Sequence, residues 1–169
     1  NQVTINSCTF NRSGDIGLWI GCNLGLSTLP LNDEQKQQQP SNIHIENCTF
    51  SKTGASATHI DGRSVSFFDC NFSGNHCDFP YNESGGQVAI DYKSSNILIK
   101  SCAIKNGPWL ARNTSLIDIK NTPTLLGSCG IELAGENIQL IDNEISGNAT
   151  EAIHINGARQ LWITGSNTN

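Results

Sequence analysis

Methionine is absent, and charge is scarce: 15% of the 169 residues are charged, with 10 Lys and Arg against 15 Asp and Glu for a net charge of −5. A chain without a basic excess lacks the electrostatic footprint of a nucleic-acid or anionic-membrane partner. No run of 18 apolar residues occurs, so no segment is expected to insert into a membrane as a helix. No apolar leader with a basic start opens the chain. No window carries a helical stripe of useful length. Gly-x-Ser-x-Gly, a phosphate loop, His-Glu-x-x-His and Cys-x-x-Cys are all missing, which removes the usual signatures of a serine-elbow hydrolase, a nucleotide triphosphatase, a zincin and a thiolate zinc site.

What is present is a repeat. Ser41-Asn42-Ile43-His44-Ile45-Glu46-Asn47-Cys48-Thr49-Phe50 is followed by Arg63-Ser64-Val65-Ser66-Phe67-Phe68-Asp69-Cys70-Asn71-Phe72, with apolar side chains in the same register. That register returns as Val3, Ile5, Cys8, Phe10, as Ile97, Ile99, Cys102, Ile104, and as Ile138, Leu140, Asn143, Ile145. A further copy starts at Leu161 and Ile163 and is cut off, so the chain reads as a piece of a longer or processed protein. A second short strand follows the first in each copy: Leu18 and Ile20, Thr58 and Ile60, Val88 and Ile90, Ile131 and Leu133, Ile153 and Ile155. Period-two alternation gives each strand one inward face. Gly14, Gly54, Gly74, Gly107 and Gly147 lie between the two strands, where the chain must turn. Residues 43 to 65 and 138 to 161 give repeat lengths of 22 and 23, which suits one coil of a parallel β-helix.

The phrase Ile43-x-Ile45-x-x-Cys48-x-Phe50 resembles the right-handed β-helix repeat of the pectate-lyase-like superfamily, and the resemblance runs over nearly the whole chain. It implies an all-β fold, a right-handed parallel β-helix of about five rungs with loop insertions, forming one domain over residues 1–169. The superfamily includes lyases, glycoside hydrolases, epimerases, tailspikes and non-catalytic repeats, so the fold does not select an activity. The sequence has no Asp-Asp followed by Gly-His-Gly and Arg-Ile-Lys, as in polygalacturonases, no Asp-Pro-His-Asp, as in alginate epimerases, and no dense calcium-binding Asp cluster, as in pectate lyases.

Insertions fall at residues 22–40, 75–86 and 107–128. The first ends in Asp33-Glu34-Gln35-Lys36-Gln37-Gln38-Gln39, which reads as a solvated, mobile loop. The last contains Leu116-Ile117-Asp118-Ile119, an alternating stretch suited to an extra strand. The second and third enter on one side of the second strand, and insertions on a solenoid gather on its working face. Cys8, Cys48, Cys70 and Cys102 share one inward repeat position and read as a stack of small buried side chains. Cys77 and Cys129 sit in neighbouring insertions, where a disulfide is an open alternative. Of the Asn-x-Ser/Thr triplets at Asn11, Asn47, Asn71, Asn82, Asn113 and Asn148, Asn82 and Asn113 suit glycosylation best because they lie in insertions.

The outward positions of the second strand form two ladders, Trp19, His59, Ala89, Glu132, His154 and Gly21, Asp61, Asp91, Ala134, Asn156, with Arg63, Tyr92 and Lys93 at the next corner. The outward face of the first strand is an ordinary mixed surface by comparison. Asp61 and Asp91 on consecutive rungs, ~5 Å apart, would raise one carboxyl pKa and could serve a glycosidase. Glu132 adds a carboxyl two rungs from Asp61, and His59 is the natural proton shuttle. Alternatively, oxygen ligands from the two Asp residues would hold Ca²⁺. The resemblance to polysaccharide lyases implies Arg63 or Lys93 as a base on an acidic sugar. The expected catalytic set is Asp61, Asp91, Glu132 and His59, and the expected substrate-binding set is Arg63, Lys93, Tyr92, Trp19, His154 and Asn156. Against this stands the plain reading that charged side chains on a β-helix exterior serve solubility, and that Trp19, Trp109 and Trp162 pack beneath loops. The expected function is a carbohydrate-active module, hydrolase or lyase, on an extended polysaccharide or surface glycan. The alternative is a non-catalytic adhesin, spacer or tailspike segment. Either implies an extracellular, cell-surface or virion location, and oligomeric state is left open.

Overall fold

A computed structural model of the chain describes residues 2–21, 31–75, 86–108 and 129–165. The chain winds through three parallel sheets, visiting each once per coil. The first sheet stacks Val3–Asn6, Ser41–Glu46, Arg63–Phe68, Ser95–Lys100, Glu136–Ile141 and Arg159–Thr164. The second stacks Thr9–Asn11, Thr49–Ser51, Asn71–Ser73, Ala103–Lys105 and Glu144–Ser146. The third stacks Leu18–Ile20, Thr58–Ile60, Gly86–Ile90, Cys129–Leu133 and Ile153–Ile155. Every pairing joins consecutive coils in the repeat register: Ile43 lies on Val65, Phe50 on Phe72, and His59 on Ala89. This is an all-β parallel β-helix of five coils plus the opening strand of a sixth.

Each coil has three strands, not two. The repeated phrase spans two sheets and breaks at a single corner residue with left-handed backbone: Ser7, Asn47, Asp69, Ser101 or Asp142, at φ 49–54°. One left-handed residue turns the strand without a loop. The next corner uses the same device. Gly74 and Gly147 supply it in two coils (φ 64° each), whereas Arg12, Lys52 and Asn106 supply it in the others. Gly14 and Gly54 lie two residues past this corner, in a bend, and Gly107 one residue past it, none with left-handed backbone.

The inward positions stack like on like. Phe50 is fully buried between Phe10 and Phe72, with ring centroids 4.6 and 4.8 Å apart and planes nearly parallel. Ile45, Phe67, Ile99 and Leu140 form a second fully buried column. Burying each such side chain contributes about 1.5–3 kcal/mol. Cys48, Cys70 and Cys102 are buried as expected, but Cys8, at the first coil, is exposed. The column is also polar in part. Cys8 N–H donates to Cys48 Sγ and Cys70 N–H to Cys102 Sγ, each at 3.4 Å. In the next coil Asn143 takes over, accepting from Cys102 N–H at 2.9 Å and donating to Ile99 O at 2.9 Å.

A buried amide network crosses the corner between the second and third sheets. Asn75 Nδ2 donates to Phe50 O (3.0 Å) and Gln87 Oε1 (3.1 Å), and Asn75 Oδ1 accepts from Thr53 Oγ1 (3.2 Å). Gln87 Nε2 donates onward to Lys105 O (3.0 Å) and Asn148 Oδ1 (2.6 Å). Polar groups this deep persist because each is paired. The network engages the Asn148 side chain, whose Nδ2 also donates to Ile104 O at 3.3 Å.

The polar run after the first coil is a short helix, Asp33–Gln38, not a mobile loop. Asn32 caps it: its side chain accepts from Gln35 N–H at 2.8 Å, and Gln35 Oε1 accepts from Asn32 N–H at 3.0 Å. The extra strand expected at Leu116–Ile119, Trp109, the thiols Cys22 and Cys77, and the acceptors Asn82 and Asn113 lie outside the described residues. The Cys77–Cys129 pairing does too, through Cys77; Cys129 itself is buried, and burial pushes its thiol up to about 12.

Candidate functional site

The outer face of the third sheet carries the expected ladder in register. Trp19 pairs with His59, His59 with Ala89, Ala89 with Glu132, and Glu132 with His154. Trp19 is no packing residue: it is 63% exposed and meets the His59 ring edge-on at 6.3 Å. His59, Glu132 and His154 are half-buried along the same face. The strands Gly86–Ile90 and Cys129–Leu133 emerge directly from the second and third insertions, so the ladder lies where both insertions rejoin the coil.

The second ladder also stacks, through Asp61 N–H to Ile20 O, Asp91 N–H to Ile60 O, Ala134 N–H to Ile90 O and Asn156 N–H to Leu133 O. Its two aspartates have different surroundings. Asp61 is buried, at 7% exposure, because Gln39 closes over it. Gln39 is itself 4% exposed and donates from Nε2 to Asp61 Oδ1 at 3.0 Å and to Lys93 O at 3.2 Å. Both neighbours are pure acceptors, which fixes the orientation of the amide. Asp91 faces solvent more. Its Oδ1 accepts from Lys93 N–H at 3.0 Å, and its Oδ2 lies 3.9 Å from His59 Nε2. Lys93 Nζ sits 5.2 Å over the exposed Tyr92 ring. Arg63 is half-buried at the start of the first-sheet strand, tied by its N–H to Pro40 O at 2.9 Å. Asn156 is exposed.

The structure thus joins Trp19, His59, Asp91, Tyr92 and Lys93 into one exposed patch. It sets Asp61 apart beneath Gln39, and it places Glu132 and His154 farther along the ladder. The family model for the right-handed β-helix region matches residues 1–168. The chain belongs to that family. No curated protein and no solved structure matches it. The match fixes the hand of the coil and carries no activity of its own.

On this right-handed β-helix the two aspartates considered for Ca²⁺ each have a partner within the chain. Asp61 is engaged by Gln39, and Asp91 by Lys93 N–H and His59. Among the described residues no group of three or more His, Cys, Asp or Glu side chains stands close enough to hold a metal ion. No described helix is long and apolar enough to cross a membrane.

The first-sheet exterior, expected to be plain surface, holds a linked set of groups. His44 lies between Ser66 Oγ, 2.9 Å from Nδ1, and Glu46 Oε2, 3.2 Å from Nε2. Asn6 Nδ2 donates to the other Glu46 oxygen. The signal was available in the repeat: His44 and Ser66 hold the same offset in adjacent copies, and His44 and Glu46 share one strand face.

Proposed function

We propose that this β-helix binds an extended polysaccharide or surface glycan along the outer face of its third sheet, as an extracellular, cell-surface or virion module of pectate-lyase-like type. The observation that carries the reading is the in-register ladder headed by Trp19, 63% exposed beside His59 and next to the Asp91–Tyr92–Lys93 corner. An exposed indole offers an apolar face to a sugar ring, and the flanking imidazole, carboxylate and ammonium groups match its hydroxyls and any uronate. Rungs spaced ~4.8 Å apart set the ladder's side chains in a line that an extended chain can follow. Binding is preferred to cleavage because Asp61 is covered and bonded by Gln39, which takes one carboxyl out of the expected acid pair.

One observation favours a second reading, in which the same face cleaves the glycan. His59 Nε2 and Asp91 Oδ2, 3.9 Å apart at a half-exposed site, are an acid–base pair in reach of a bound sugar. A panel of neutral and acidic polysaccharides, assayed for retention and for released reducing ends or unsaturated uronates, tests both. Retention lost in Trp19→Ala without product supports binding. Product formation lost in Asp91→Asn supports cleavage. Retention unchanged in Trp19→Ala, or no ligand in the panel, overturns the assignment of this face.

A further inference from the structure

We propose that Ser66, His44 and Glu46 form an acyl-ester hydrolysing site on the first sheet, separate from the glycan-binding face. Hydrogen-bond direction assigns the three roles. Glu46, as a carboxylate, only accepts, so His44 Nε2, 3.2 Å from Oε2, carries the ring proton and donates it. In the neutral ring that leaves His44 Nδ1 as the acceptor of the Ser66 hydroxyl at 2.9 Å. The carboxylate is fixed on both sides, since Asn6 Nδ2 occupies Oε1. The Phe68 ring, 5.1 Å away and tilted, packs against the imidazole. Nucleophile, base and orienting carboxylate therefore stand in the order that activates a serine. They are held on paired strands of adjacent coils, not on loops.

The site faces a shallow depression, open to solvent, of about 620 Å³ lined by Gln2, Asn42, Ile43, His44, Ser64 and Ser66. That lining is polar apart from Ile43, which suits a short acyl ester of a hydroxylated carrier better than a long-chain lipid. Ser66 Oγ attacks the acyl carbon and its proton passes to His44 Nδ1. The tetrahedral oxyanion forms over the polar lining that Gln2 and Asn42 contribute to. Its collapse breaks the C–O bond, and His44 returns the proton to the leaving alcohol. Water, deprotonated by His44, then attacks the acyl carbon, the acyl C–Oγ bond breaks, and His44 returns the proton to Ser66 Oγ as the carboxylic acid leaves. Glu46 is a positioning residue that holds the imidazole tautomer.

The test is labelling with a fluorophosphonate probe and hydrolysis of p-nitrophenyl acetate by the whole chain. The expected result is a label on the Ser66 peptide and an initial burst of one product per chain, with both lost in Ser66→Ala. Glu46→Gln should lower kcat/KM at least tenfold through kcat, with KM and the urea unfolding midpoint unchanged. A purely structural role for Glu46 would lower the midpoint and leave the kcat of the folded protein in place. Absence of label, label spread over other serines, or Ser66→Ala hydrolysis within twofold of the parent overturns the proposal. Neither readout involves a polysaccharide, so failure here is distinct from failure of the glycan-binding assignment.

Discussion

Replacing Gln39 by Glu would put a second carboxyl 3.0 Å from Asp61 Oδ1, where the amide nitrogen now donates. At an effective dielectric constant of about 20, two charges ~3 Å apart repel by about 5.5 kcal/mol. The folded protein has a less costly course. Holding one carboxyl protonated costs about 1.4 kcal/mol for each pH unit above an ordinary glutamate pKa of about 4.3, or about 3.7 kcal/mol at pH 7. Protonation wins, and the shared proton restores a hydrogen bond. The folded pair then has a raised pKa and binds a proton that the unfolded chain releases. The added penalty is accordingly absent below about pH 4.3 and grows by about 1.4 kcal/mol per unit as pH rises. Urea unfolding followed by circular dichroism should show Gln39→Glu about 1 kcal/mol below the parent at pH 5 and about 4 kcal/mol below it at pH 7. Gln39→Leu removes the donor without adding charge, and should lose about 1.5–3 kcal/mol at both pH values. A Gln39→Glu deficit equal at pH 5 and pH 7 would refute the burial of Gln39 against Asp61.

Three further outcomes follow from the core. Phe50→Ala should cost about 3–5 kcal/mol in urea unfolding, because both ring neighbours are lost, whereas half-buried Phe10 has one stacked partner and should cost less. Gly130→Ala should destabilise by about 1–3 kcal/mol in the same assay. Its Cβ would meet Ala152 O at 2.4 Å and Ile145 Cγ2 at 2.5 Å. Among the described cysteines, Cys8 should react with a thiol reagent in the native protein, whereas Cys48, Cys70 and Cys102 should react only on unfolding, as counted by mass spectrometry after alkylation.

The register was legible because the repeat offset is itself the physical pairing rule: Ile43, Val65, Ile97 and Ile138 align in the sequence as they stack in the sheet. The three-sheet cross-section was not. Its corners turn on single left-handed residues, and all but Gly74 and Gly147 of those named above carry no glycine signature. The outward ladders were legible for the same reason as the core, since alternation assigns both faces at once. Exposure along them was not, because Asp61 is buried by Gln39, 22 residues earlier, and a polar run does not announce which of its members turns inward. The amide network of Asn75, Gln87 and Asn148 was hidden likewise, since sequence patterning marks apolar core positions and passes over polar ones that find partners across coils.

The central claim is that the third-sheet face holds glycan. Indole N–H resonances, recorded by NMR during titration with a polysaccharide that the protein retains, test it most directly. Trp19 lies on that face, and Trp162 lies exposed on the first sheet. The account predicts that the Trp19 signal shifts and saturates while the Trp162 signal stays fixed. A fixed Trp19 signal under saturating glycan would contradict it.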